Sequence, residues 1–271
     1  MTTRFERDTA VTRVADDDFD ALIDQGWLVM RGPNGGYVAA IVLRALTERI
    51  GDPARPPRSL TLHYVSPAEV GPVRVTTSIE RVGRTLTSCS ARLHQGDRLV
   101  ALAMAAFSSA RPGPEFCDLT MPEVPPPSAI ARGEIPPEAP AIAHRWDLRW
   151  AIGQPPWGEG PLAHEAVAGG WIRLEEPQVL DAHAVAAVTD AWVPPVFSRI
   201  REPIVVPTVD LTVHFRASLP APGASSDDYL LAVFRTDAAT EGFLEESGEV
   251  WSKDGMLLAQ SRQLAVAVPV S

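Results

Sequence analysis

Three segments of this chain occur twice. "VAAIVL" at 38–43 is matched by "VAAVTD" at 185–190, "LTLHYVS" at 60–66 by "LTVHFRA" at 211–217, and "GDRLVALA" at 96–103 by "DGMLLAQS" at 254–261. The offsets are all about 150 residues and drift by a few, as loops of unequal length would make them. The chain is therefore an internal duplication, and its fold must consist of two similar units. Between them, residues 111–140 carry nine prolines and almost no hydrophobic periodicity. Proline removes backbone donors and favours extended chain, so this stretch reads as a linker or a crossover lying on the surface. The expected organisation is one domain over 1–110, a proline-rich linker over 111–143 and a second domain over 144–271.

Both halves place a helix before a run of strands. In the first half a short strand is expected near 19–28, then a helix, then strands at 59–67, 73–83, 86–96 and 98–110, separated by turn residues as in an antiparallel meander. In the second half, strands at 145–150 and 168–176 precede a helix at 178–192, stopped by Pro194 and Pro195. Strands at 209–218, 229–240, 242–253 and 256–268 follow. The first helix opens on "NGG" and is apolar on every side from Tyr37 to Leu46. A surface helix would show one apolar stripe. A sheet curled around its own helix removes that requirement.

The bulk numbers exclude several classes. A hydrophobic fraction of 45% with 21% charged residues is that of a globular chain with ample core, and a net charge of −10 argues against nucleic acid as a partner. Two cysteines, Cys89 and Cys117, are too few for a disulfide framework. The amino terminus lacks the apolar core of a signal peptide and no apolar run reaches membrane-spanning length, so a soluble cytoplasmic protein without a membrane partner is expected. Neither a G-x-S-x-G elbow nor a Gly-rich nucleotide loop occurs. His144, His164 and His183 lie in no H-x-x-x-H or Cys-rich setting, which argues against zinc. His63 and His214 occupy matched places in the two "LT-x-H" strands, which points to a shared structural role.

The order of these segments resembles the double-hotdog acyl-CoA thioesterases, those similar to bacterial thioesterase II. The resemblance is carried by "PNGGYVAAIVLRA", "LTLHYVSPAEVGPV" and "RTLTSCSARLHQGDRLVALAMAAF" in the first half. In the second it is carried by "WIRL", "AVTDAWVPPVF", "PTVDLTVHFR" and "DGMLLAQSRQLAVAV". It implies an α+β tandem (double) hotdog, two antiparallel sheets each wrapped around a long central helix. It also implies acyl-CoA as substrate, with coenzyme A entering as part of it and no metal or other cofactor. The duplication already pairs two units within one chain, so a monomer or homodimer is expected, and neither half should be soluble alone.

The resemblance further places Asp190, Thr208 and Gln263 together as a catalytic set that holds and polarises a water for attack on the thioester carbon. Asp190 is the ionisable member and would accept the water's proton, while Thr208 and Gln263 would orient the water. Gly35, Gly36 and Tyr37, at the amino terminus of the first helix, would offer backbone donors to the thioester oxygen. Taken singly, Asp190 could be solvated near a helix end, Thr208 an ordinary strand residue and Gln263 an edge residue. The duplication sharpens the choice. Aligned on the repeats, Asp190 falls opposite Leu43, Gln263 opposite Ala105 and Thr208 opposite Pro57. A polar group at a packed position is costly unless it is paired or used, so one site per chain is expected. Arg58, Arg81, Arg84, Arg199 and Arg201 are candidates for the coenzyme A phosphates. Two other readings remain open at this point: a catalytically silent acyl-CoA binding protein, and a hotdog enoyl-CoA hydratase, for which Asp181 and His183 stand too close together and the "PNGG" turn supplies neither an Asp nor a His.

Overall fold

The computed structural model describes residues 2–30, 32–155 and 161–270, so the expected domain limits Met1 and Ser271 lie outside the described residues. Numbering only strands of six residues or more, the first half contributes β1 (Asp18–Ile23), β2 (Pro57–Tyr64), β3 (Gly71–Val82), β4 (Leu86–Gln95) and β5 (Arg98–Ser108). The second half contributes β6 (Trp146–Ile152), β7 (Ala166–Leu174), β8 (Thr208–Phe215), β9 (Leu230–Thr236), β10 (Phe243–Trp251) and β11 (Leu257–Val266). The helices are α1 (Arg4–Asp8), α2 (Gly35–Ile50) and α3 (Ala182–Val188). Among the described residues no helix is long and apolar enough to cross a membrane.

The strands do not form two sheets. Among the described residues the long strands all join one antiparallel sheet of thirteen strands, two of them only two residues long, in the order β1-β3-β4-β5-β2-β8-β11-β10-β9-β7-β6; two short two-stranded ribbons stand apart from it. The expectation of two separate sheets is corrected by the pairing of β2 with β8. Left apart, each would be an edge with a row of unpaired backbone groups; joined, each satisfies the other. The register is symmetric about Thr61 and Thr212, which face each other with Leu60 opposite Val213 and Leu62 opposite Leu211. The two hydroxyls lie 3.0 Å apart. Thr61 and Thr212 are also the same position of the repeated "LT-x-H" motif, so the approximate two-fold axis of the duplication passes between them. His63 and His214, equivalent by the same axis, are both exposed.

The two helices pack against each other on one face of this sheet. Ten residues of α2 are buried, from Gly36 to Leu43 without interruption and then Ala45 and Leu46, which accounts for a helix with no polar face. Its partner departs from expectation. The helix expected over 178–192 occupies only Ala182–Val188, so the second half has a short helix where a long one was expected. Asp181 caps its start by accepting from the Ala184 N–H at 2.9 Å. Its end tightens into three-residue spacing, Asp190 N–H to Ala187 O and Ala191 N–H to Val188 O, with the Thr189 hydroxyl turned back onto Ala186 O. Such tightening satisfies the last carbonyls locally and lets the chain leave the helix axis. Asp190 therefore sits on the turn beyond the helix and not within it.

Residues 111–140 form no strand; one 3₁₀ turn, Pro127–Ala129, interrupts them. This segment lies on the sheet face turned away from the helices. Met121, Val124 and Ile130 pack there against a cluster that includes Trp171 and Trp251. The Trp171 indole donates to Pro125 O at 2.8 Å, and Arg149 donates to Ile130 O at 3.1 Å. A Met and Val among prolines thus cover apolar surface that the strands of the second half would expose.

Two substitutions test this packing. Leu43→Ala, at a fully buried position of α2, should lower stability by about 2–5 kcal/mol in urea or thermal unfolding, the range for a large-to-small change in a core. A Cβ at Gly36 would stand 2.5 Å from the Ala187 carbonyl oxygen, so Gly36→Ala should force the helices apart. Its melting temperature should fall even though alanine is the better helix former; a rise would show that the helix contact is loose.

Candidate active site

Along β10 and β11 buried and less buried residues alternate, so Leu244 and Glu246 of one strand, and Gln263 and Ala265 of the other, point to the helix side. Gln263 lies opposite Leu211 on one neighbour and Glu246 on the other. Thr208 opens β8 directly after Pro207, and a register shift between Thr208 and Asp210 kinks the strand there. Such a bulge re-aims a side chain. The same shift occurs between Pro57 and Ser59 in the first half.

These elements border a small cavity open to solvent, lined by Asp190, Thr208, Thr236, Glu246 and Gln263 with the apolar Pro194, Val196, Val206, Leu244 and Ala265. The three residues expected to act together do line one cavity. The Thr208 hydroxyl donates to Gln263 Oε1 at 3.0 Å, and Gln263 Nε2 donates to Glu246 Oε1. These two bonds fix the amide's orientation, since only its nitrogen can donate.

Asp190 is held from the opposite half of the chain. Asn34 caps α2, its Oδ1 accepting from the Tyr37 N–H at 2.9 Å. Its Nδ2 is thereby turned to Asp190, donating to the backbone oxygen at 2.6 Å and to Oδ2 at 2.9 Å. The Gly36 N–H donates to the same Oδ2 at 2.9 Å. Enclosure by protein raises the Asp190 pKa to about 6, against the pull of the Gly36 N–H, the Gln263 amide, the Gly35 N–H and Asn34, all of which favour the charge. As a residue Asp190 is half-buried, and it lines the cavity. Glu246 is pushed further, to about 8, first by burial and then by the nearby Asp190 charge, with Gln263 pulling the other way. Burial and Asp190 also raise Tyr64, whose hydroxyl donates to Gly35 O at 2.7 Å.

The groups expected to act as donors at Gly35, Gly36 and Tyr37 have partners within this structure. The Gly36 and Tyr37 N–H groups are engaged, one by Asp190 and one by the Asn34 cap, and Gly35 favours the Asp190 charge. The helix terminus thus holds the Asp190 carboxylate in this structure. The Tyr37 side chain points elsewhere, stacking on Trp27 with ring centres 4.9 Å apart and donating its hydroxyl proton to Asp8 O at 2.7 Å. Both glycines are needed for close approach: a Cβ at Gly35 would stand 2.9 Å from Asp190 Oδ2 and 3.0 Å from the Tyr64 hydroxyl.

Glu246 escaped the sequence reading, although the alternation Leu244, Glu246, Gly248, Val250 puts it on the inner face. Its counterpart by strand register is Cys89, opposite Ala105 as Glu246 is opposite Gln263. The cavity thus has no polar equivalent in the first half, where Leu43, Cys89 and Ala105 are buried and apolar. Asp181 and His183 stand where the repeat puts Asn34 and Gly36. Asp181 Oδ1 is spent on capping α3, and its Oδ2 lies 2.8 Å from His183 Nδ1. Of the arginines considered for phosphate, Arg58 donates to Ser108 O at 3.1 Å, whereas Arg199 and Arg201 are exposed on the segment between the cavity residues Val196 and Val206.

Comparison with known proteins agrees with this architecture. Residues 23–108 match the acyl-CoA thioesterase N-terminal domain and residues 118–267 match the acyl-CoA thioesterase C-terminal domain. A thioesterase-like protein, TwmA of Talaromyces wortmannii, is 25% identical over 226 residues, which cover 69% of this chain; the chain spans 62% of that relative's length. Among solved structures, a hot dog protein of unknown function from Alicyclobacillus acidocaldarius is 30% identical with a TM-score of 0.88, each chain covered in full. A thioesterase II candidate from Thermobifida fusca is 25% identical with a TM-score of 0.86, over 98% of each chain. The acyl-CoA thioesterase II TesB2 of Mycobacterium marinum shares the fold at 19% identity and a TM-score of 0.78, over 99% of this chain and 98% of that one. With both domain signatures spanning most of its length in the right order, the chain belongs to the acyl-CoA thioesterase family.

Proposed function

We propose that this chain hydrolyses acyl-CoA to the free acid and coenzyme A by direct attack of a water activated at Asp190. We read its two halves as the two units of a double hotdog. The observation that carries the reading is the convergence of Asp190, Thr208 and Gln263 on one cavity, with the aspartate charge held by Asn34 and the α2 amino terminus. A general base works best when its pKa lies near the working pH, and about 6 leaves Asp190 mostly ionised at neutrality. The Thr208 proton is committed to Gln263, so the Thr208 oxygen can accept one water proton while Asp190 accepts the other. The water's lone pair is then turned toward the thioester carbonyl. In the reaction the water oxygen bonds to carbon, its proton passes to Asp190, and the carbon–sulfur bond breaks with the electron pair leaving on sulfur. The apolar side of the cavity, Val196, Val206, Leu244 and Ala265, suits the first carbons of an acyl chain. The chain would work as a cytoplasmic monomer or homodimer, with no cofactor beyond the coenzyme A of its substrate.

Release of free thiol from acyl-CoA tests the activity. Hydration of enoyl-CoA, or saturable binding of acyl-CoA without turnover, would replace this reading with one of its rivals. Asp190→Asn should lower kcat by about 10² to 10⁴ with KM little changed, the usual loss when a positioned base is removed. The parent's turnover should fall as pH drops through about 6. The same group sets a stability trend. A carboxyl whose pKa is raised on folding contributes stability that is full below its unfolded value, near 3.8, and is lost as pH rises through about 6. Asp190→Asn should therefore melt at or above the parent's temperature at pH 7, and scanning calorimetry from pH 4 to 8 would register it. A folded Asp190→Asn protein with near-full turnover would overturn the water-activating role.

A further inference from the structure

Glu246 is the one ionisable cavity residue left without work by the hydrolysis described above. The residue is 9% exposed and reaches the cavity from β10, and its carboxyl accepts from the same Gln263 amide whose oxygen holds Thr208. A buried acid is a costly substitute for an apolar residue, and the duplicated half has Cys89 at this place. Two carboxyls around one amide also cannot both ionise cheaply, because like charges at short range in an enclosed site repel.

We propose that Glu246 is a positioning residue and the second titrating group of this site: neutral, it orients the Gln263 amide and leaves Asp190 as the only charge, and once ionised it shuts turnover down. The reasoning rests on the reading of Asp190 as base. Attack of water makes an anionic tetrahedral intermediate, so a second negative charge in the cavity opposes the step electrostatically. Neutral Glu246 adds no such charge, yet its Oε1 still accepts the amide proton. The groups facing it are Asp190 beyond the end of α3, Gln263 on β11, Thr208 on β8 and Thr236 on β9. Its neighbour Glu245 is paired with Arg262 at 3.3 Å, and Arg199, Arg201 and Glu202 lie exposed on the segment bordering the cavity. Burial and the Asp190 charge hold the Glu246 carboxyl neutral up to about 8.

The test is the pH dependence of kcat/KM for thioester hydrolysis in the parent and in Glu246→Gln. The parent should rise with pH near 6 and fall near 8, losing about tenfold by one unit above that point. Glu246→Gln should keep the acid limb and lose the alkaline one. A residue that only filled space would lower the rate at every pH and leave both limbs in place, and an alkaline limb that persists in a folded Glu246→Gln protein overturns the proposal. Should that variant fail to fold, or the parent prove inactive, carboxyl carbon NMR of the parent decides. One side-chain carboxyl should titrate near pH 8, and its midpoint should drop in Asp190→Asn, where the neighbouring charge is gone. Absence of any carboxyl titrating above pH 7 would overturn the proposal. Full activity in Asp190→Asn would instead sink the reading of the base, so the two failures are distinguishable.

Discussion

A carboxylate enclosed between the two halves of the chain organises this molecule. An enclosed charge is tolerated only with close donors, and Asp190 draws its donors from the amino terminus of α2, a helix of the other half. That terminus carries unpaired N–H groups and partial positive charge. To reach it, the turn after α3 must come so near that a side chain at Gly35 or Gly36 would collide with Asp190, Tyr64 or the Ala187 carbonyl. The paired glycines, the close helix contact and the completeness of the site are one requirement. The site exists only when both halves are assembled.

The sheet imposes the same assembly from the other side. Pairing of β2 with β8 about Thr61 and Thr212 removes two edges and sets the halves in two-fold relation. The symmetry holds in the backbone to the level of a bulge, at Pro57 and again at Thr208, and of a helix cap, at Asn34 and again at Asp181. It fails in the chemistry. Where one half has Asp190, Glu246 and Gln263, the other has Leu43, Cys89 and Ala105. A second buried polar cluster would add desolvation cost without a second set of donors, since Asp181, whose side chain has no N–H, stands where the first helix has Asn34.

Much of this was legible in the chain. Period-two alternation marks the long strands to within a few residues, and the helix apolar on every side correctly signals enclosure. The family resemblance names Asp190, Thr208 and Gln263, and the comparison of halves shows that each lacks a polar counterpart. Glu246 was equally exposed to that test, because Leu244 and Val250 set the inward phase of its strand. Its acidic neighbour Glu245 breaks the contrast between inward and outward residues at that point of the strand. The short second helix was hidden for another reason: residues 178–192 have adequate helix propensity, yet Asp181 caps the start and the chain tightens and leaves the helix after Val188.

The sequence by itself determined the duplication, the antiparallel strands of each half, the enclosed helix and the polar positions without a counterpart, because each follows from local periodicity or from comparing the chain with itself. Only the tertiary structure decided that the halves share one sheet, that the glycine turn holds Asp190, and that a second carboxyl borders the site. These depend on which groups from distant segments meet, and on the hydrogen bonds and burial that follow, which no local pattern carries.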